Sequence, residues 1–262
     1  MAFINKLPAI IKMTIKYFLF IVFFLISYGI TAQCIDKEKV TYGGDWGYTD
    51  YIHRCPTYDF SFEGNTSKQW NTLNDPIDIL QAPKEVLTFK RKVEFKIKDY
   101  AGEKFFSKVK FNSVEVVYPE QLQVFADSGR QDVTLEFCKA KYFFYYEFKP
   151  DTIATYHIGV ALDTSGKIIS KFNFPSKEDY KPIDTTFTYC ELIDIARITQ
   201  NKIDPIKEIS FEFNNKTNRF YWLITQEIVK QKEGLNYYNQ VVIDASDLTK
   251  TKKLKGTVSI VY

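Results

Sequence analysis

The stretch TYCELIDIARIT, residues 188–199, carries the clearest signal for the fold of this 262-residue chain. Thr188 stands three residues before Glu191, which is the pattern of a capping box. Apolar or small side chains then recur at positions i, i+3, i+4 and i+7 of one helical face, namely Leu192, Ile195, Ala196 and Thr199. The pattern predicts a helix over residues 189–201, with Pro205 beyond its end.

Strand patterns follow this helix. The segments KEISFEF (207–213), RFYWLITQEIV (219–229) and YYNQVVIDAS (237–246) are rich in β-branched and aromatic residues, and NNKTN between the first two is a turn sequence. One helix followed by an antiparallel run of strands is typical of an α+β layer. We therefore predict a strand-rich α+β fold with antiparallel sheets, in which one main helix packs on a curved sheet in the C-terminal half.

Together, these segments resemble a PepSY or cystatin-like module. The likeness covers residues 188–247, about a quarter of the chain, and lies in CELIDIARI, in the hairpin ISFEFNNKTNRFYWLI and in the closing strand YYNQVVIDAS. PepSY modules occur in exported inhibitory or regulatory segments. The resemblance therefore implies binding rather than catalysis, and it assigns no active-site residues.

The middle of the chain also predicts antiparallel strands. Charged and apolar residues alternate over 90–98, DYAGEK (99–104) has turn composition, and FSKVKFNSVEVVY (106–118) returns as a strand. The aromatic run that begins at Tyr142 predicts a central strand covered on both faces. Beyond it, alternation over 156–162, the turn DTSGK and alternation over 168–174 predict a further hairpin.

These patterns divide the chain into four predicted regions. They are a signal peptide (1–32), an aromatic, cysteine-containing segment (33–85), an antiparallel β region (86–150) and the α+β, PepSY-like region (151–262).

The first region has the three parts of a secretory signal peptide. Residues 1–16 contain three lysines and no acidic residue. An uncharged apolar run then extends from Tyr17 to Ile30, and small residues follow it. The run is shorter than the ~20 residues of a spanning helix. Its ending, Thr-Ala-Gln before Cys34, resembles signal peptides of Bacteroidetes-type bacteria. We expect a periplasmic or secreted protein that meets the membrane only transiently; the alternatives are an uncleaved anchor or a lipid on Cys34.

Charge excludes one class of partner. The whole chain has 35 basic and 32 acidic side chains, and removal of the three lysines of the leader leaves 35 − 3 = 32 basic ones and a net charge of zero. Nucleic-acid binding needs clustered excess lysine and arginine. We therefore expect no nucleic acid as a partner.

Four cysteines remain after such processing, Cys34, Cys55, Cys138 and Cys190. An even number in an exported chain predicts two disulfides, for which three pairings are possible. We favour Cys34–Cys55 and Cys138–Cys190, because each bond would close a loop between cysteines that are consecutive along the chain. A nucleophilic role for Cys55 beside His53 is disfavoured in an oxidising compartment with an even number of cysteines. A zinc site formed by Cys34, His53 and Cys55 is disfavoured because it lacks C-x-x-C spacing and a fourth ligand. We predict neither metal nor cofactor.

The densest candidate surface is YGGDWGYTDYIHRCPTYDF, residues 42–60. Aromatic rings beside acids and glycines could stack on a sugar ring or a peptide side chain, while the acids accept hydrogen bonds. The alternative is that these rings fill a small core. The predicted binding residues are Asp45, Trp46, Tyr48, Tyr51 and His53.

No catalytic constellation is present in the sequence. There are only two histidines, and phosphate loops, G-x-S-x-G and H-E-x-x-H motifs do not occur. His157, the second histidine, is expected to be an ordinary surface residue. We therefore predict an exported, non-catalytic binding protein that holds a protein or peptide on a sheet edge or on residues 42–60. The alternative is a carbohydrate-binding or carbohydrate-processing protein, for which nearby acids could act as a pair: Asp45, Asp50, Asp59 and Glu63.

Overall fold

Two five-stranded β-sheets dominate the computed structural model, which describes residues 34–41, 43–44, 57–62, 77–118, 140–150, 154–229 and 235–259. The chain divides into residues 1–36 and a second unit, residues 37–262, to which every element below belongs. The predicted strand-rich α+β class is confirmed.

The described ranges contain ten strands and three α-helices. The helices are α1 (Lys84–Ala101), α2 (Glu103–Phe106) and α3 (Tyr189–Thr199). None of these helices has both the length and the apolar character needed to cross a membrane. The strands are β1 (Val40–Thr41), β2 (Thr57–Ser61), β3 (Ile77–Asp78), β4 (Val109–Val117), β5 (Tyr142–Phe148), β6 (Tyr156–Leu162), β7 (Ile206–Asn214), β8 (Arg219–Gln226), β9 (Leu235–Asp244) and β10 (Asp247–Ser259).

Helix α3 confirms the prediction made from its capping box. The Thr188 hydroxyl accepts a hydrogen bond from the backbone amide of Glu191, and the Glu191 carboxylate accepts one from the amide of Thr188. The helix ends at Thr199, two residues before the predicted end. Its apolar face is buried, and the Tyr189 ring lies 6.1 Å from that of Trp222 on β8, so the helix packs on the sheet ordered β1-β7-β8-β9-β10.

The prediction of a strand over residues 90–98 is wrong, because this segment lies within α1. The buried side chains are Val86, Val93, Ile97 and Ala101, whose spacing follows a helical face. Phe95, which strand alternation places inside, is 64% exposed. The helix starts after Pro83 and ends at Gly102, which has a positive φ of 81°. The alternation over residues 92–98 covers only seven residues, which was too few to outweigh the helical spacing of the whole 18-residue segment.

The second sheet has the order β3-β2-β4-β5-β6. Strand β5 pairs with both β4 and β6, and six of its seven side chains are buried, which confirms the predicted central strand. Because β6 pairs with β5, the boundary placed between residues 150 and 151 separates two neighbouring strands of one sheet. The expected return strand over 168–174 does not form; only Ile168 makes a bridge, to Leu162.

A stack of phenylalanine rings joins the two sheets within the second unit. Phe105 of α2 stacks on Phe148 of β5 at 4.3 Å, Phe148 on Phe220 of β8 at 5.3 Å, and Phe220 on Phe211 of β7 at 4.9 Å. All four side chains are buried. The sheets therefore share one aromatic core.

A short segment near the N-terminal end also connects the sheets. Val40 and Thr41 pair in parallel with β7, and two residues later Gly43 pairs in parallel with Tyr156 of β6. The Gly43 amide donates to the carbonyl of Thr155 at 3.1 Å. This segment thereby closes one edge of each sheet.

Candidate functional site

Most of the predicted binding residues lie outside the described ranges. This holds for Asp45, Trp46, Tyr48, Tyr51 and His53, and also for Asp50, Cys55, Glu63 and Cys138. Cys34 and Cys190 are described, and both are disulfide-bonded. The disulfide state predicted for these two cysteines is thus present, while the predicted pairings stay predictions.

His157 is half-buried on β6 rather than fully exposed at the surface. Burial lowers the pKa of its imidazole below the usual value and outweighs the opposing effect of Glu147, its cross-strand neighbour on β5. His157 is therefore neutral at pH 7.

The most unusual electrostatic feature is a pair of carboxyl groups on adjacent strands. Asp59 of β2 lies directly opposite Glu115 of β4. The Tyr145 hydroxyl donates to Glu115 Oε2 at 3.1 Å, and the Ser113 hydroxyl donates to Asp59. Glu115 is only 7% exposed. With Ser61, these residues form what we call the carboxylate cluster: Asp59, Ser61, Ser113, Glu115 and Tyr145.

Burial shapes the charge of this cluster. Desolvation is the main cause that raises the pKa of Glu115 to about 8, and repulsion by the nearby Asp59 is the second cause. Desolvation also raises the pKa of Asp59 to about 6. No lysine, arginine or histidine among the described residues contributes to either shift. At neutral pH Glu115 therefore keeps a proton and Asp59 is mostly ionised.

Two oxygen atoms of the cluster lack hydrogen-bond partners among the described residues. They are Asp59 Oδ1 and the hydroxyl oxygen of Ser61, a residue that is only 6% exposed. A buried polar atom without a partner costs about 1–3 kcal/mol. Sequence reasoning noted Asp59 but missed Glu115, because strand pairing brings the two together over more than fifty positions of sequence.

The second distinctive feature is the last strand, β10, which sequence analysis did not predict. It pairs with β9 and forms the end of its sheet, so its other edge has no strand partner among the described residues. Residues 249–255 are all exposed. We call the following lysines of this strand the basic edge: Lys250, Lys252, Lys253 and Lys255.

The described residues neutralise only part of this charge. Lys250 pairs with Asp247 at 2.7 Å, and Lys255 lies over the Tyr237 ring at 4.2 Å. Neither Lys252 nor Lys253 has an ion-pair partner among the described residues. Edge lysines discourage self-association of sheets, and an exposed edge offers backbone donors and acceptors to an added strand.

A shallow pocket lies on the outer face of the same sheet, beside β10. It encloses about 440 Å³, counting space open to solvent, and is lined by Tyr238, Gln240, Thr225, Val258 and others. Gln240 Nε2 donates to Thr225 Oγ1 at 3.0 Å. The Tyr238 ring covers Gly256, where an added Cβ would lie 2.2 Å from Tyr238 Cζ.

Within the described residues, no group of three or more histidine, cysteine, aspartate and glutamate side chains could hold a metal ion. No family model, curated protein or solved structure matches the chain. The function must therefore be argued from the site alone.

Proposed function

We propose that the protein is an exported, non-catalytic binding protein that holds an extended protein or peptide segment along the basic edge of β10. The observation that carries this proposal is the 13-residue length of an edge strand whose middle is exposed on both faces. Natural edge strands are usually short or covered, because an open edge invites pairing with another chain. A long, open edge fits a binding surface.

The backbone supplies the attraction in this mode. In strand addition, main-chain hydrogen bonds give affinity, and side chains at alternate positions give selectivity. The β10 residues from Thr251 to Ser259 are in register with β9, so the strand is already fixed in an extended conformation. A partner would therefore lose entropy on binding while β10 would lose little.

The lysines define the chemistry of the partner. Successive residues of a strand point to opposite faces, so Lys252 and Lys253 place positive charge on both sides of the edge. A partner strand with adjacent acidic residues could meet both lysines. We therefore propose an acidic, extended segment as the ligand. The resemblance of residues 188–247 to a binding module supports the same class of function.

Export is a separate part of the proposal and rests on residues 1–33. Intact-mass analysis of the protein from the envelope fraction is expected to give a chain that starts at Gln33 or Cys34. A chain that keeps Met1 would contradict cleavage, and an added diacylglycerol mass would support the lipid anchor instead.

Binding can be tested with a synthetic, fluorescently labelled peptide of valine, threonine and adjacent glutamates. We expect charge reversal at Lys252, Lys253 and Lys255 to glutamate to weaken its affinity at least tenfold. The matched control reverses Lys84, Lys96 and Lys104, three exposed lysines on α1 and α2, for the same change in net charge. Equal loss in both variants would show a general charge effect and contradict an edge site.

Carbohydrate binding is the second candidate, and the pocket beside β10 favours it. An aromatic ring next to amide and hydroxyl groups can stack on a sugar and hydrogen-bond its hydroxyls. If this function is correct, a glycan array is expected to give hits that Tyr238→Ala and Gln240→Ala abolish. Trp46→Ala on the same array tests whether the 42–60 stretch binds the glycan instead. Glycan binding with no peptide binding would favour this candidate over the first.

A further inference from the structure

We propose that the carboxylate cluster is a binding site for one divalent hard cation, of which Ca²⁺ is the best fit. The site lies in the sheet that contains β2 and β4, whereas the basic edge belongs to the other sheet. The inference therefore does not depend on the proposed peptide-binding function.

Strand register brings the oxygen-bearing side chains together. Asp59 pairs with Glu115, and Ser61 pairs with Ser113, so all four side chains project from the same face of two neighbouring strands. Side chains directly opposite each other have Cβ atoms about 4.5–5.5 Å apart. Two carboxyl groups and two hydroxyl groups thus surround a small area of the sheet.

The unpartnered atoms point to a missing ligand. Ser61 is more than nine-tenths buried, yet its hydroxyl has no hydrogen-bond partner in the part of the chain that the structure describes. The buried Asp59 Oδ1 atom also lacks a partner there. Buried polar atoms are nearly always satisfied, and an exception is commonly explained by an ion or a water molecule. A cation bound between β2 and β4 would satisfy both atoms at once.

The charge balance points in the same direction. Two facing carboxyl groups are buried without any basic side chain among the described residues to compensate them. A divalent cation would supply the missing counter-ion.

The donor set selects the type of ion. Every donor is an oxygen, which suits Ca²⁺ and Mg²⁺ and disfavours metals that prefer nitrogen or sulfur. Ca²⁺ accepts irregular geometry and bidentate carboxylates, whereas Mg²⁺ demands octahedral geometry and gives up its water reluctantly. In a site this buried, Ca²⁺ is the better match.

Calorimetric titration of the chelator-treated protein with CaCl₂ tests the site. We expect one Ca²⁺ per chain. Tb³⁺ luminescence excited through tyrosine gives a second readout, since the Tyr145 hydroxyl lies 3.1 Å from Glu115 Oε2.

Substitutions locate the site. Asp59→Asn is expected to weaken Ca²⁺ binding at least a hundredfold, and Ser61→Ala, which is milder for folding, at least threefold. Glu178→Gln, in an exposed residue outside the cluster, is the control and is expected to leave binding unchanged. The proposal is overturned if roughly 10 mM Ca²⁺, above the weakest Kd of known Ca²⁺ modules, gives neither heat nor a thermal shift. It is equally overturned if Asp59→Asn and Ser61→Ala both bind like the wild type.

Discussion

The backbone amide of His157 donates a hydrogen bond to the carbonyl oxygen of Gly43 at 2.9 Å, across more than a hundred positions of sequence. His157 belongs to the sheet that carries Asp59 and Glu115, while Val40, just before Gly43, pairs with Ile209 in the other sheet. One short segment therefore completes an edge of both sheets. Only glycine can make this connection at residue 43, because a Cβ there would lie 1.2 Å from the carbonyl oxygen of Phe211.

Gly43→Ala is accordingly expected to destabilise the whole second unit. The clash is with the backbone of β7, which cannot rotate away as a side chain can, so the segment must move and lose its hydrogen bonds to β6. We expect a loss of about 2–4 kcal/mol, as for severe overpacking in a core. Thr41→Ala, at an exposed position two residues earlier, is the control and should cost less than about 1 kcal/mol. Equal stabilities of the two variants in urea unfolding would contradict the bridging role.

Phe220→Ala tests the aromatic stack that joins the sheets. Phe220 contacts the rings of Phe148, Phe211 and Tyr156, and it is buried. Replacing a buried phenylalanine by alanine typically costs about 3–5 kcal/mol. We expect that loss in urea unfolding, with a single transition because the core is shared. Two separate transitions in the variant would indicate that the sheets unfold independently.

Local patterns predicted the elements whose signals are short-range. The capping box at Thr188 fixed the start of α3, and the alternating residues of β6 and the aromatic run of β5 identified those strands correctly. The strand over 90–98 was wrong because Val93 and Ile97 fit a helical face as well as strand alternation, whereas Phe95 fits only the alternation and is exposed. Pro83 and Gly102, which delimit the helix, were the signals that could have corrected it.

The candidate site could be predicted only in part. Asp59 stood out as one of several acids, but its partner Glu115 depends on the pairing of β2 with β4, which no local pattern encodes. Strand β10 was missed because its lysines reduce the hydrophobic signal of a strand, although Leu254 and Val258 keep part of the alternation. Edge strands often carry lysines because the charge discourages association with other sheets, and the same lysines weaken the hydrophobic alternation by which a strand is recognised.

Stability should depend on pH through the carboxylate cluster. Burial raises the pKa of Glu115 from its usual 4.5 to about 8, so between these values the folded chain holds a proton that the unfolded chain has released. The resulting stabilisation is fully present below pH 4.5 and is lost as the pH rises through 8, with a slope of up to about 1.4 kcal/mol per pH unit.

Glu115→Gln removes this dependence, because the amide does not titrate. We expect the variant to be more stable than the wild type above pH 8 and to show a flatter stability profile between pH 5 and 8 in the absence of divalent cations. Glu178→Gln should keep the wild-type profile. A wild-type profile that rises across this pH range would contradict the assignment.

Peptide mapping under non-reducing conditions tests the disulfides. We expect linked peptides that account for all four cysteines and no free thiol, and reduction is expected to cost about 3–4 kcal/mol per bond. The pairing favoured from the sequence would give Cys34–Cys55 and Cys138–Cys190. A peptide that links Cys34 to Cys138 or to Cys190 would replace the predicted pairing while keeping two bonds. Two reactive thiols in the unfolded, unreduced protein would contradict the disulfide assignment.

The central claim is that a partner strand pairs with the open edge of β10, and hydrogen–deuterium exchange tests this claim most directly. On binding the valine–threonine–glutamate peptide, the amides of residues 247–259 on the open edge are expected to exchange at least tenfold more slowly, while α1 is unchanged. A peptide of the same sequence with alternate N-methylated residues should give no protection, because it cannot form the ladder. Protection that appears elsewhere and leaves β10 unchanged, or equal protection by the N-methylated peptide, would contradict strand addition at this edge.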